Sequence, residues 1–352
     1  MKISRWMLVA GTAAMVVAVA LAGSIGVSKA PAAAKTSYGV ALISDVAGFN
    51  DNGFNKLQLA GLNRAKAQLG IAAFPIVSHS STDYQPNYNT AVLSDHAKLV
   101  IAAGFLLGDT MYKYAKAYPK IKFAITDDSV QGLPFVKPKG WHVLSNEEGI
   151  TYATQQGGCM VGVLAAKQAQ KMGKKIIGVA GGLAIPPVDS YIAGFRYCAN
   201  KAVPGTKTLV QYSNDFVDQT KCATIAQNEI NQGAEVIFQV AGLCGDGALK
   251  EAASLHKWGI GVDADEYNVA PGHILTSALK KTDVGVYNTI KGAVTSTFQG
   301  GKDLLFNLKN NGVGVGKISP SVPTAWKNLM LSYKSQMIAG TLKPPVSCGS
   351  HC

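Results

Sequence analysis

Short apolar runs alternate along this chain with longer segments whose apolar residues recur every three or four positions. Val40 to Ile43 is the first such run. A Gly- and Asn-rich loop follows it, and then Leu59, Leu62, Ala65 and Leu69 mark one face of an amphipathic helix. The same alternation predicts strands at 72–77, 99–103 and 123–126, with helices between them. Trp141 to Leu144 reads as a further short strand. Ser145 and Glu148 have the spacing of a capping box, which predicts a long helix over 149–170. Its Gly157, Gly158 and Gly162 are small enough to let a neighbouring helix approach closely. A second set of strands is predicted at 176–180, 209–212, 236–240 and 274–277. Helices are predicted from Ile185, over 218–232 and from Asp283. This repeated alternation argues two doubly wound parallel sheets.

In such sheets the carboxyl ends of the strands face the ligand crevice. The loop after the first strand therefore presents Asp45, Asn50, Asp51 and Phe54 to it. Two carboxylates and an aromatic ring suit a small ligand that carries hydroxyls and a flat face. Gly104-Phe105 ends the third strand, and Asp109 lies at the amino end of the next helix, where an Asp is a helix cap, a ligand contact or both. Tyr191 and Phe195 are one turn apart on a helix, either as core or as platforms for a ring. Gly242 lies in a glycine-rich turn that either brings backbone amides to a ligand or only turns the chain tightly.

Length and composition add a second level of organisation. The chain has 352 residues, 47% hydrophobic and 15% charged, enough for two domains with sizeable cores. Lys2 and Arg5 precede an uncharged run from Trp6 to Ser28, and Ala32-Ala33-Ala34 offers small residues to a signal peptidase. Residues 1–34 thus read as a signal peptide cleaved near Ala34 or, because the run is long enough to span a bilayer, as an anchor. The protein is expected to be exported to the periplasm or cell surface. The net charge is +12. Its lysines are scattered, with pairs only at Lys174-Lys175 and Lys280-Lys281, and no Arg-aromatic cluster argues for nucleic acid. Six cysteines, Cys159, Cys198, Cys222, Cys244, Cys348 and Cys352, all fall in the second half. In an exported chain they favour disulfides over metal, with the pairing left open by the sequence. The Cys348 to Cys352 tail reads as a local bridge rather than a metal clip.

Several motifs together resemble the basic membrane protein family of solute-binding proteins, whose nucleoside-binding members read roughly V-T-D, a glycine-rich spacer and D-K-S-F-N. Here Ser44-Asp45 and Asp51-Asn52-Gly53-Phe54-Asn55 stand in those places. Gly181-Gly182, Pro187-Val188 and Tyr191 to Gly194-Phe195 resemble a second signature. Ile260-Gly261-Val262-Asp263-Ala264-Asp265-Glu266 resembles I-G-V-D-x-D-Q with Glu266 for the Gln, and Ser277 to Lys280 resembles S-x-x-K. Ala339-Gly340 to Pro344 resembles the family's closing motif, so the likeness covers about residues 38 to 345. The family is usually lipid-anchored through a Cys, but Leu21-Ala22-Gly23 is followed here by Ser24.

The resemblance implies a type 1 periplasmic-binding fold with a ligand cleft between two hinged lobes. The first lobe is expected at 36–145 with 273–300, the second at 146–272 with 301–345, and a Cys-containing tail at 346–352. It further implies a purine-type nucleoside as ligand, with the base between Phe54 and Tyr191. Asp45 and Asp109 would accept hydrogen bonds from the base edge, while Asp263 and Lys280 hold the ribose. An ABC permease and its ATPase would be the partners, with no cofactor and no metal. The alternatives are a free sugar or other small metabolite in the same fold, a membrane-anchored sensor, and an exported nucleoside hydrolase. The last is disfavoured because G-x-S-x-G, H-E-x-x-H and G-x-x-x-x-G-K-[ST] motifs are all missing. The histidines show no helical pairing for metal, and Gly312 to Gly316 lacks the spacing of a dinucleotide fingerprint.

Overall fold

The computed structural model describes residues 37–132 and 140–349. The readings of residues 1–34 as a signal or anchor and of Cys352 in a local bridge lie outside these residues. The chain opens with β1 (Gly39–Ile43), α1 (Phe54–Leu69), β2 (Ala72–Ile76), the short α2 (Tyr84–Asn89), β3 (Leu99–Ala102), α3 (Gly108–Ala117), β4 (Lys122–Thr126) and β5 (Glu147–Tyr152). It continues with α4 (Thr154–Lys171), β6 (Ile176–Gly181), α5 (Pro186–Ala202), β7 (Lys207–Tyr212), α6 (Gln219–Asn231), β8 (Val236–Val240), α7 (Gly242–Ser254), β9 (Trp258–Asp263) and β10 (Ile274–Lys280). Last come α8 (Thr282–Val294), β11 (Lys302–Phe306), β12 (Val313–Val315) and α9 (Thr324–Ala339).

The strands form two six-stranded sheets, ordered β11-β5-β4-β3-β1-β2 and β12-β10-β9-β8-β6-β7. All pairs are parallel except β12 on β10. Each sheet carries helices on both faces, so β1 can be apolar throughout, and both β1 and β8 are buried at every residue. Separate apolar clusters fill the two faces of the first sheet, one including Leu42 and Leu62 and the other Ile43 and Phe123. α1 ends where Gly70 turns left-handed (φ 66°) and its N–H reaches the Lys66 carbonyl. α5 begins on Pro186, whose missing N–H costs nothing at a helix start.

In α4, a methyl group on Gly158 or Gly162 would run into the backbone carbonyls of Tyr191 and Phe195. The closeness of α4 to α5 therefore rests on these glycines. A disulfide between Cys159 and Cys198 joins the same two helices, and one between Cys222 and Cys244 joins α6 to α7. Cys348 is also disulfide-bonded.

Five expectations about the crossover region need correction. Residues 141–144 form no strand, and Ser145 with Glu148 caps no helix, because Glu147–Tyr152 is itself a strand. β-branched Ile150 and Thr151 and aromatic Tyr152 fit a pleated surface, while Gly149 sits where a Cβ would collide with the Asp303 carboxylate and the Asp128 carbonyl. Glu148 accepts hydrogen bonds from Thr289 Oγ1 and the Gln299 N–H, both at 2.7 Å, which satisfies its buried carboxylate. The chain therefore leaves the first sheet after Tyr152 rather than near Ser145. It returns after Lys280 rather than near Gly272, since β10 belongs to the second sheet. β11 lies in the first sheet and not the second, so a third crossing follows Phe306. The crossings are bonded to one another: Tyr152 hydroxyl to Lys281 carbonyl (3.2 Å), Ala153 N–H to Phe306 carbonyl (2.8 Å), and Lys281 N–H to Gly312 carbonyl (2.9 Å).

Candidate functional site

The two sheets present the carboxyl ends of their strands to one cleft. Asp45 lies just past β1, Asp127 just past β4, and Asp263 and Lys280 are the last residues of β9 and β10. β4 and β9 hold matching places in their sheets, two strands beyond the first strand of each. Asp127 and Asp263 both adopt left-handed backbone, φ 65° and 61°. Such backbone is costly for a residue with a Cβ and concentrates where a side chain must be aimed.

Lys280 is 3% exposed and stands between the two acids. Its Nζ lies 2.7 Å from Asp127 Oδ2 and 3.3 Å from Asp263 Oδ1, and 4.6 Å from the centroid of the Phe54 ring. Burial alone would depress its pKa, but the charges of Asp127 and Asp263 outweigh that and raise it, so it is an ammonium. Burial raises the Asp127 carboxyl; Lys280 opposes this and the charge of Asp263 adds to it. Two carboxylates against one cation leave surplus negative charge for a ligand's donors to meet. Tyr191 donates its hydroxyl to Asp263 Oδ1 at 3.1 Å. Burial and then the charge of Asp263 hold its phenol well above the ordinary range.

A second carboxylate centre sits at the start of α1. Asp45 Oδ1 accepts from the Ala47 N–H (2.9 Å) and from Asn55 Nδ2 (2.7 Å). Burial, with the charges of Asp51 and Asp127, pushes its pKa up to about 7 against those two hydrogen bonds. Its Oδ2 looks toward Gly104. Gly104 has φ +115°, and a Cβ there would come within 3.2 Å of the Phe54 ring, so only glycine admits both the turn and the ring. Asp51 is engaged locally: its oxygens accept from the N–H groups of Gly53, Asn55 and Lys56, which holds the first turn of α1.

The residues lining the cleft include Asp45, Asp51, Phe54, Tyr191, Gly242, Asp263 and Lys280, all singled out by the sequence. Gly242 (φ 55°) opens α7 beneath Phe216. Three other candidates stand elsewhere. Asn50 is exposed at the end of a short turn. Asp109 is exposed in the first turn of α3, beside Asp128 and Trp141. Phe195 is fully buried with its ring 4.9 Å from Phe238, so it is core. The sequence reading passed over Asp127, Asn55 and Phe216, which also line the cleft. Asp127 was legible in principle, because it follows the fourth strand of its sheet as Asp263 ends that of the other.

The lobes also touch beyond Lys280 and Asp127. Asn52 Nδ2, before α1, donates to Asp246 Oδ2 in α7 at 3.1 Å. Glu266 does not line the cleft: it accepts from Gln239 Nε2 (2.6 Å) and the Val262 N–H (3.0 Å), bracing the strand end that carries Asp263. Among the described residues no group of three His, Cys, Asp or Glu is arranged to hold a metal ion.

Comparison with known proteins agrees with this geometry. The family model described as ABC transporter substrate-binding protein PnrA-like matches residues 39–343. An ABC transporter nucleoside-binding protein of Lactococcus lactis is 30% identical over 88% of this chain and 90% of that one. An uncharacterized lipoprotein of Pyrococcus abyssi is 31% identical over 84% of this chain and 72% of that one. The crystal structure of an ABC transporter solute-binding protein from Aeropyrum pernix covers 87% of this chain and 93% of that one, with a TM-score of 0.77 and 25% identity. Two parallel-sheet lobes of the type 1 periplasmic-binding fold, a charged cleft between them and a family match over nearly all the described residues lead to one assignment: the chain belongs to the Bmp family of ABC transporter substrate-binding proteins.

Proposed function

We propose that this substrate-binding protein takes a purine-type nucleoside in its cleft and hands it unchanged to an ABC permease driven by an ATPase. The observation that carries this reading is the pairing of aromatic and charged groups across one cleft. Phe54 reaches in from the first lobe and Phe216 from the second, with Asp127, Asp263 and Lys280 at its floor. Aromatic faces hold a flat base at little conformational cost. Carboxylates and an ammonium suit the donors and acceptors of a sugar and a base edge. Tyr191 supports the site by orienting Asp263 through its hydroxyl, so we assign the second face of the base to Phe216. Asp45 and Asp127 would meet the base edge, and Asp263 with Lys280 the ribose. The nucleoside-binding relative in Lactococcus supports the ligand class. The lipoprotein relative supports work outside the cytoplasm.

Calorimetry with adenosine, guanosine, inosine and ribose tests the reading. The nucleosides should bind and ribose alone should bind far more weakly, since each buried polar group left unpaired costs about 1 to 3 kcal/mol. Phe216→Ala should weaken nucleoside binding at least about tenfold, and Asp263→Asn by a similar factor. Equal affinity for ribose and nucleoside would remove the base from the picture. Recovery of free base after incubation would show hydrolysis instead of delivery.

A further inference from the structure

The folded chain gathers lysines that look scattered along the sequence. Between Gln156 and Asn214 there are seven cations, Lys167, Lys171, Lys174, Lys175, Arg196, Lys201 and Lys207, and a single acid, Asp189. Asp189 sits in the first turn of α5, at the cleft end. α4 and α5 run in the same direction, because Gly158 meets Tyr191 and Gly162 meets Phe195. Their carboxyl ends therefore share one end of the lobe, where β6 and β7 begin. Lys175 Nζ donates to the Pro204 carbonyl at 3.0 Å, and the Lys207 N–H donates to the Lys175 carbonyl at 2.7 Å, which joins the two basic turns into one surface. Lys171, Lys174, Lys201 and Lys207 are exposed. Glu235, at the same end, is held by Lys257 at 2.8 Å.

This surface is concave. Arg196, Tyr197, Asn200, Lys201 and Lys207 line a groove between α5 and the edge strand β7. Tyr197 is 39% exposed, and Met172 in the neighbouring turn is 48% exposed. Cations around an exposed aromatic ring and a thioether suit the boundary between headgroups and acyl chains. We infer that this pole of the second lobe docks on an anionic phospholipid surface, its lysines meeting the headgroup phosphates. The pole is at the opposite end of the strands from the ligand cleft, so docking leaves the cleft open.

The test uses the full chain with vesicles of phosphatidylglycerol and phosphatidylcholine in equal parts, and with phosphatidylcholine alone, at fixed ionic strength. Any apolar insertion by the amino-terminal run contributes to both, so the difference between the two vesicles is the reading. Partitioning should favour the anionic vesicles. The variant with Lys171, Lys174, Lys201 and Lys207 all changed to Gln should lose at least about tenfold of that preference. Changing Lys66, Lys113, Lys116 and Lys120 of the first lobe to Gln should leave most of it. Unaltered ligand binding by both variants in the same preparations shows that they are folded. Equal loss from both variants overturns the inference, because net charge and not this pole would then carry the binding. So does equal partitioning to the two vesicles, or displacement by inorganic phosphate at constant ionic strength, which would mark a site for soluble phosphate.

Discussion

Asp45 titrates close to neutrality, because burial costs its charged form more than two hydrogen bonds return. If it accepts hydrogen bonds from the base edge, ligand binding selects the carboxylate. Affinity should then rise with pH, by up to about tenfold per unit below pH 7, and level off above it. Asp45→Asn should flatten the profile while leaving Lys280 and its acids in place. Titration calorimetry from pH 5.5 to 8.5 checks this, and a flat profile for the unaltered protein would remove Asp45 from the contact. The residues that chemistry aims into the cleft were legible where they end a strand, as with Asp45, Asp263 and Lys280. By helical spacing alone Phe195 was not distinguishable from Tyr191, since both are aromatics on one helix face, and only the family resemblance favoured Tyr191. What separates them is Phe238, which takes the Phe195 ring into the core, whereas the Tyr191 hydroxyl finds Asp263. Asp127 reads as an ordinary strand stop until the left-handed turn that aims it is seen.

Among the elements, α6 carries a buried carboxyl at odds with its surroundings. Glu229 is fully buried, packed where Gly178 of β6 leaves room, neither of its carboxylate oxygens has a hydrogen-bond partner among the described residues, and burial pushes its pKa up to about 8. The folded state therefore holds a proton that the unfolded chain releases near the ordinary carboxylate value of about 4.3. Stability from this group is fully present below that value and is lost as pH rises toward 8, at about 1.4 kcal/mol per unit. Glu229→Gln should be more stable than the unaltered protein at pH 8, with the gap closing toward pH 4, as read by denaturant midpoints at several pH values. A gap independent of pH would mean that packing and not ionisation decides. Most helices and strands followed from hydrophobic period alone. β5 did not, because Ser145 to Glu148 imitates a helix cap and only tertiary burial of Glu147 to Ile150 reveals a strand.

At the scale of the molecule, the lobes are held near each other by contacts from opposite sides of the cleft. Asn52 and Asp246 form one, and removing the amide leaves a buried carboxylate without that donor. Asn52→Ala should shift the ligand-free protein toward open forms and speed ligand dissociation several-fold. Fluorescence energy transfer between labels on the two lobes, with stopped-flow release, reads both quantities. Unchanged distances and rates would show that the Asn52 to Asp246 bond does not hold the lobes. Two successive sets of alternating strands and helices made the two-lobe plan visible from the sequence, yet the points where the chain crosses could not be read from it. They depend on which sheet captures β5, β10 and β11.

The three crossings have a mechanical consequence. Since Tyr152, Ala153, Phe306, Lys281 and Gly312 are stitched side by side, swivelling about that seam leaves every stitch intact. Sliding one half past the other would instead pull on the Tyr152 to Lys281 bond, which runs from the end of β5 to the end of β10. A protease that nicked a single linker would find the two halves still moored by the remaining pair.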